Sequence, residues 1–254
     1  MTEDDPSNIE RETDSPELAG QPEFGEDSSG ALEHNQHLDD AEVFNAIDIE
    51  PIEQQAFRRT SILSMTLFVE GGLAGIAIGL AYWLGIPLWE TCRWDLREIG
   101  LGFAAAIPMI IVLFVTAHSD YGPFVRIREL LNEGLLPRLR SSKQIDLLFL
   151  ALMAGTCEEL LFRTVIQQYV ETLTGPIWGL LLASLVFGLL HCVSLTYAIL
   201  TFIAGIYLGI FWWATDRNTI AVMITHAVYD WVAFVYLIRL YRKSKNAEST
   251  ALAK

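Results

Sequence analysis

Basic residues are almost missing from the first fifty-three positions, where Arg11 stands alone among seventeen acids. A stretch this acidic and this poor in aromatics buries too little apolar surface to offset its ordering entropy, so residues 1–55 read as a disordered acidic tail. The basic-then-apolar order of a secretory leader is lacking at the start, and none is expected there. Cysteine is scarce as well. Cys92, Cys157 and Cys192 form an odd set without metal-ligand spacing, so neither a disulfide framework nor a cysteine-built metal site is read from them. Cys157 and Cys192 fall in apolar segments and read as small buried hydrophobes. His34 and His37, in the tail, read as solvated side chains.

Past the tail, charge itself is scarce. Residues 54–254 hold fourteen acids against sixteen bases, and this near balance carries no basic excess toward nucleic acid. What fills the sequence instead is apolar: 52% of the chain is hydrophobic and 19% charged, outside the usual range of a soluble domain. The apolar residues gather in six continuous segments, about 61–86, 98–117, 146–170, 176–191, 195–214 and 219–238. A spanning helix needs about 20 apolar residues. Runs without period-2 alternation exclude strands, and backbone hydrogen bonding in lipid then leaves helices. The fold class is therefore all-α, a polytopic membrane bundle of about six helices behind the tail. Expected boundaries are 1–55 for the tail, 56–245 for the membrane domain and 246–254 for a short C-terminal tail. A short amphipathic approach helix is expected near 41–56, and an interfacial one near Phe124–Leu136. Gly71, Gly75 and Gly79 recur every four residues, a spacing that suits close helix packing.

Ionisable residues inside such segments are costly and mark functional sites by default. Glu158, Glu159 and Arg163 lie in the third segment. Glu159 and Arg163, four apart, share a helix face and can neutralise one another. Glu158 points about 100° away and has no partner in its own helix. An unpaired carboxylate in low dielectric is poised for proton transfer. His191 ends the fourth segment, while His226 and Asp230 sit four apart in the sixth, where Asp230 can orient the imidazole. Glu70, in the first segment, has no local partner and reads as a packing or interfacial residue. Taken singly, each has a structural explanation. Together they can hold and activate a water molecule and stabilise an oxyanion.

The blocks Glu158-Glu159-x-x-x-Arg163, Phe187-x-x-x-His191 and His226-x-x-x-Asp230 resemble the three ordered motifs of the CPBP family. That family comprises type II CAAX prenyl endopeptidases, bacteriocin-processing and immunity (abortive-infection-like) proteins, and related intramembrane proteases. The resemblance covers about residues 98–240 and is sharpest at 155–230. It implies that Glu158, with His191, activates the attacking water, that Glu159 and Arg163 hold the site together, and that His226 binds a metal or stabilises the oxyanion, assisted by Asp230. Many prenyl-protein processors carry Asn at the last position, and many members carry Gly where this chain has Thr164. The first departure bears on whether a substrate is prenylated; the second bears on packing.

The resemblance implies an integral membrane endopeptidase whose partners are the bilayer and a membrane-associated protein or peptide substrate, with no nucleic acid. Two mechanisms stay open. Glu158, His191 and His226 can form a His₂Glu site for a divalent metal such as zinc, or Glu158 and His191 can activate water unaided. A non-catalytic scaffold or immunity factor is the alternative; a transporter is disfavoured because no inverted repeat is evident. Orientation follows from basic residues flanking the segments. Six spans put Arg58, Arg59, the 118–145 loop and the C-terminal bases on one side, eleven residues against Arg93, Arg97 and Arg217 on the other. Both termini are expected in the cytoplasm, with the cell membrane as the expected location. Reporter fusions check this: one after Lys245 should report cytoplasm and one near Thr215 export, and the reverse pattern would invert the topology.

Overall fold

A computed structural model describes residues 52–252. The tail, its histidines and most of the expected approach helix lie outside the described residues. Among the described residues there is no strand, and the elements run α1 (Ile52–Leu84), a 3₁₀ turn (Leu88–Thr91), α2 (Leu96–His118), α3 (Gly122–Glu133) and α4 (Leu135–Leu139). Then follow α5 (Gln144–Glu159), a π-helical segment (Leu160–Gln167), α6 (Gln168–Thr174), α7 (Pro176–Leu190), α8 (Leu195–Ala214) and α9 (Thr219–Leu252). Helical structure thus extends past both expected limits of the membrane domain, starting at Ile52 and running to Leu252. The interfacial helix appears as α3 and α4, parted at Gly134.

Four helices, Glu53–Leu84, Leu96–His118, Leu195–Ala214 and Thr219–Glu248, are long and apolar enough to cross a membrane. The expected six are met only loosely, for physical reasons. The rod formed by α5, the π segment and α6 is long but carries Glu158, Glu159, Arg163 and Glu171. Helix α7 has 15 residues, about 22 Å, against a hydrocarbon core of about 30 Å. It stops at Leu190 with His191 as its cap, within one residue of the expected limit.

Local chemistry sets the ends. Asp95 caps α2 by accepting the Arg97 N–H (2.7 Å), and Ser194 caps α8 by accepting the Tyr197 N–H (3.2 Å), each satisfying an orphan first-turn donor. Asp146, in the first turn of α5, accepts the Lys143 N–H and two guanidinium N–H groups of Arg59, at 2.6 and 2.7 Å. That fork ties α1 to α5. Lipid-facing side chains stay uncovered: Phe68, Tyr82, Trp83, Trp89 and Trp94 are all exposed. The last four cluster at the α1–α2 connection, as an interfacial aromatic belt does.

Helix α9 lies between α5 and α2, α7 packs along α8, and α1 packs on α5. The contact that positions the site is between α5 and α9. A Cβ on Gly155 would stand 2.7 Å from the Ala227 backbone nitrogen and 3.0 Å from its Cα, so only glycine permits this approach. It brings the end of α5 against the turn that carries His226.

The recurrent glycines of α1 do something else. Nothing lies within 4 Å of a Cβ placed on Gly71, Gly75 or Gly79, so the expected close packing at this stripe is not made within the chain. Helix α1 packs instead through Ala77 and Ala81, which are buried with Phe162, Val165 and Phe187. Cys157 is buried as expected; Cys192 is exposed, because the helix has ended before it. Gly155→Ala should therefore lower the thermal unfolding midpoint of the purified protein, by overpacking worth about 1–3 kcal/mol. Gly75→Ala should leave it unchanged. Equal behaviour of the two would contradict this packing.

Candidate active site

Glu158 and Glu159 close α5, Arg163 lies in the π segment, His191 follows α7, and His226 and Asp230 are on α9. The structure brings all six together. His191 reaches the centre of the bundle because α7 is short, and His226 does so because it lies two turns inside α9. The segment limits read from the sequence set these histidines near opposite faces. Helix α7 ends within one residue of its expected limit, so the meeting comes from how this short helix packs against α8 and the π segment.

Glu159 and Arg163 are fully buried and paired, with Arg163 Nε–H donating to Glu159 Oε2 at 2.9 Å. The other oxygen, Oε1, lies 2.8 Å from His226 Nδ1. A carboxylate held by a guanidinium only accepts, so the proton of this contact sits on Nδ1. Nε2 of His226 is thereby turned toward Glu158 and Asp230. Asp230 was expected to orient the imidazole. Its Oδ2 lies 3.5 Å from Nε2, whereas the short contact to Nδ1 belongs to Glu159. A carboxylate has two oxygens, and Glu159 uses one for each partner.

His191 is oriented by its own helix end. Its Nδ1 lies 2.8 Å from the Phe187 carbonyl oxygen, which can only accept. The neutral ring therefore carries its proton on Nδ1 and presents the Nε2 lone pair. Glu158 completes the arrangement. It is buried, and its Oε2 has no hydrogen-bond partner. That atom lies 3.7 Å from His191 Nε2 and 3.9 Å from His226 Nε2. These separations are too long for direct hydrogen bonds, and a water with contacts of about 2.8 Å would span each of them.

Three residues without a chemical role in the sequence reading also stand at the site. The Phe187 ring stands 4.5 Å from the His191 ring and 6.1 Å from that of His226, centre to centre. It also stands 5.4 Å from the Arg163 guanidinium carbon, a cation–π distance. The ring thus packs beside three of the site residues. Glu70, on α1, has a buried Oε2 without a hydrogen-bond partner and lies within electrostatic range of His226, Asp230 and Glu158. It belongs to the surroundings of the site. Thr164 makes a 2.7 Å hydrogen bond to the Thr219 hydroxyl, joining the π segment to the start of α9.

Among the described residues no three His, Cys, Asp or Glu side chains meet the geometry of a metal centre. The donors Glu158, His191 and His226 do face one another, spaced for a water molecule. Residues 140–232 match the model of the family described as type II CAAX prenyl endopeptidase Rce1-like. Glu158, Glu159, Arg163, His191, His226 and Asp230 all fall inside that stretch. No curated protein and no solved structure matches the chain. The four long apolar helices and the matched stretch fit an integral membrane protein.

Arg163→Ala strands a buried Glu159, a loss of roughly 3–5 kcal/mol, and should lower folded yield sharply. Glu158→Gln removes no hydrogen bond from Oε2 and should leave yield and melting midpoint near wild type. Size-exclusion yield and thermal unfolding check both, and equal losses would remove the distinction between the two glutamates.

Proposed function

We propose that this chain, whose residues 140–232 match the model of the type II CAAX prenyl endopeptidase Rce1-like family, is an intramembrane endopeptidase that cuts a membrane-associated peptide. The observation that carries the reading is Glu158 Oε2, buried and unpartnered between the Nε2 atoms of His191 and His226. In this reading a water donates one hydrogen bond to Glu158 and one to the His191 lone pair. Glu158 takes a proton as the water oxygen attacks the peptide carbonyl. His226, with Nδ1 engaged by Glu159 and a proton on Nε2, donates to the developing oxyanion. When the carbon–nitrogen bond breaks, Glu158 returns its proton to the departing amine.

Glu158, His191 and His226 are the catalytic residues of this scheme. Glu159 and Arg163 are positioning residues, and Asp230 stands beside Nε2 of His226. The family description supports a lipid-associated C-terminal segment as substrate class. Access is supported at the loop after α7, where His191 is partly exposed and Leu190, Val193 and Leu195 are uncovered. The same three donors are those a metal would use; with a metal bound they would supply two imidazoles and a carboxylate.

Comparison of membrane-protein termini in cells carrying the wild type and Glu158→Gln tests the activity. New C-termini should be present with the wild type and absent with the variant, and identical termini would favour a scaffold. Purified protein should keep its activity in a strong chelator. Loss restored by zinc would assign the three donors to a metal instead.

A further inference from the structure

The polar residues of the π segment do not end at Arg163. Arg163 Nη1 lies 3.5 Å from Gln167 Oε1. Gln167 Nε2–H donates to Glu171 Oε1 at 3.0 Å. That oxygen also accepts from the Trp213 indole at 2.7 Å, and Glu171 Oε2 accepts from Arg217 Nη2 at 2.7 Å. Glu159, Arg163, Gln167 and Glu171 are all buried and four residues apart. In a pure α-helix each four-residue step drifts forward by about 40°, and such a row would spiral off the bundle. The π turns close i→i+5, so their four-residue steps fall short of a full turn. Two steps through the π segment, Glu159 to Arg163 to Gln167, and one through α6 to Glu171 drift in opposite senses, which keeps the row near one face.

Two further features serve this row. A Cβ on Gly209 would stand 2.6 Å from Gln167 Oε1, and one on Gly179 would collide with Glu171 Cγ. Helices α8 and α7 thus leave room for polar side chains at the places where lipid-exposed surface would reject them. Asp216 and Arg217 both have left-handed backbone, φ 51° and 59°, a conformation non-glycine residues seldom adopt. The turn they make directs Arg217, half exposed, back onto Glu171.

We infer that Gln167, Glu171 and Arg217, with the Trp213 indole, form an outer positioning row that orients Arg163 and, through Glu159, the imidazole of His226. The inference rests on the reading of His226 as part of a hydrolytic site. The order of constraint runs inward. Arg217 and Trp213 hold both oxygens of Glu171. Glu171 then sets which end of the Gln167 amide faces it, leaving the carbonyl oxygen for Arg163. Arg163, held from behind, keeps Glu159 turned so that its second oxygen meets His226 Nδ1. None of these outer residues faces the water position, so none is catalytic.

The test uses the full-length protein purified in detergent, with variants Glu171→Gln, Arg217→Met, Arg217→Lys and Gly209→Ala. Carbethoxylation of histidine by diethyl pyrocarbonate, followed by peptide mass spectrometry, reads the exposure of each imidazole in folded protein. Arg217→Met and Gly209→Ala should raise labelling of His226 severalfold and leave His118 unchanged. Arg217→Lys should return it to wild type. Folded variants with wild-type labelling of His226 would overturn the row. A quenched fluorescent peptide carrying a lipid anchor supplies the second readout. There, Glu171→Gln should lower kcat about tenfold with KM unchanged, as expected for a displaced group; unchanged kcat would overturn the inference. If the wild type cuts no peptide, the hydrolytic reading fails, and the labelling result still decides whether the row orients His226. Should Glu171→Gln not fold, Arg217→Met carries both readouts.

Discussion

A charge in hydrocarbon persists only where another group of opposite sign or a strong donor meets it. In this protein that constraint is discharged by one contact, Glu159 with Arg163 on one side and His226 on the other. The contact joins α5 to α9, holds the π segment in register, and determines which nitrogen of His226 faces inward. Glu158 is left over by the same arrangement. It stands beside Glu159 in sequence but a third of a turn away in space, where no cation of its own helix can reach it. The polarity of the site is therefore divided. One glutamate is consumed by structure, and its neighbour is held unsatisfied.

The membrane class and the pairing of Glu159 with Arg163 were readable from the sequence, because a continuous apolar run and an i, i+4 spacing are local properties. Convergence of His191 and His226 was not. It depends on how α7, which ends where its apolar run ends, packs against α8 and the π segment, and packing partners are not a local property. The glycine stripe misled for a related reason. Spacing says that a face is narrow, and Gly71, Gly75 and Gly79 are narrow, but only the fold decides which face meets a partner; Ala77 and Ala81 took that place. The row beyond Arg163 left a trace in the sequence, since Gln167 and Glu171 continue the four-residue spacing. An α-helical ruler lets that spacing drift, and the π segment that straightens it has no simple sequence signature.

Two positions where the sequence departs from the motifs it resembles acquire physical content. Thr164 bonds to Thr219, and Trp212 Nε1–H donates to the same hydroxyl at 3.3 Å, so a hydroxyl stands where glycine would offer only space. Asp230 faces Nε2 of His226, and a carboxylate there, unlike an amide, brings a further acidic group to a site already holding Glu158 and Glu159. Glu70 approaches from α1 with the same sign. The site is thus richer in acids than its two histidines and one paired arginine can neutralise directly.

Helix α7 falls about 8 Å short of a bilayer core of about 30 Å. Lipids beside it must thin, or headgroups and solvent must dip toward the loop that follows. On the proposed hydrolytic reading, water would reach the site through the shape of the surrounding bilayer. A substrate helix lodged against this dimple would lose hydrocarbon cover at the depth of His191 and fray there. The position of the cut along the substrate would be set by membrane thickness, so the same chain in a thicker bilayer would select a different bond.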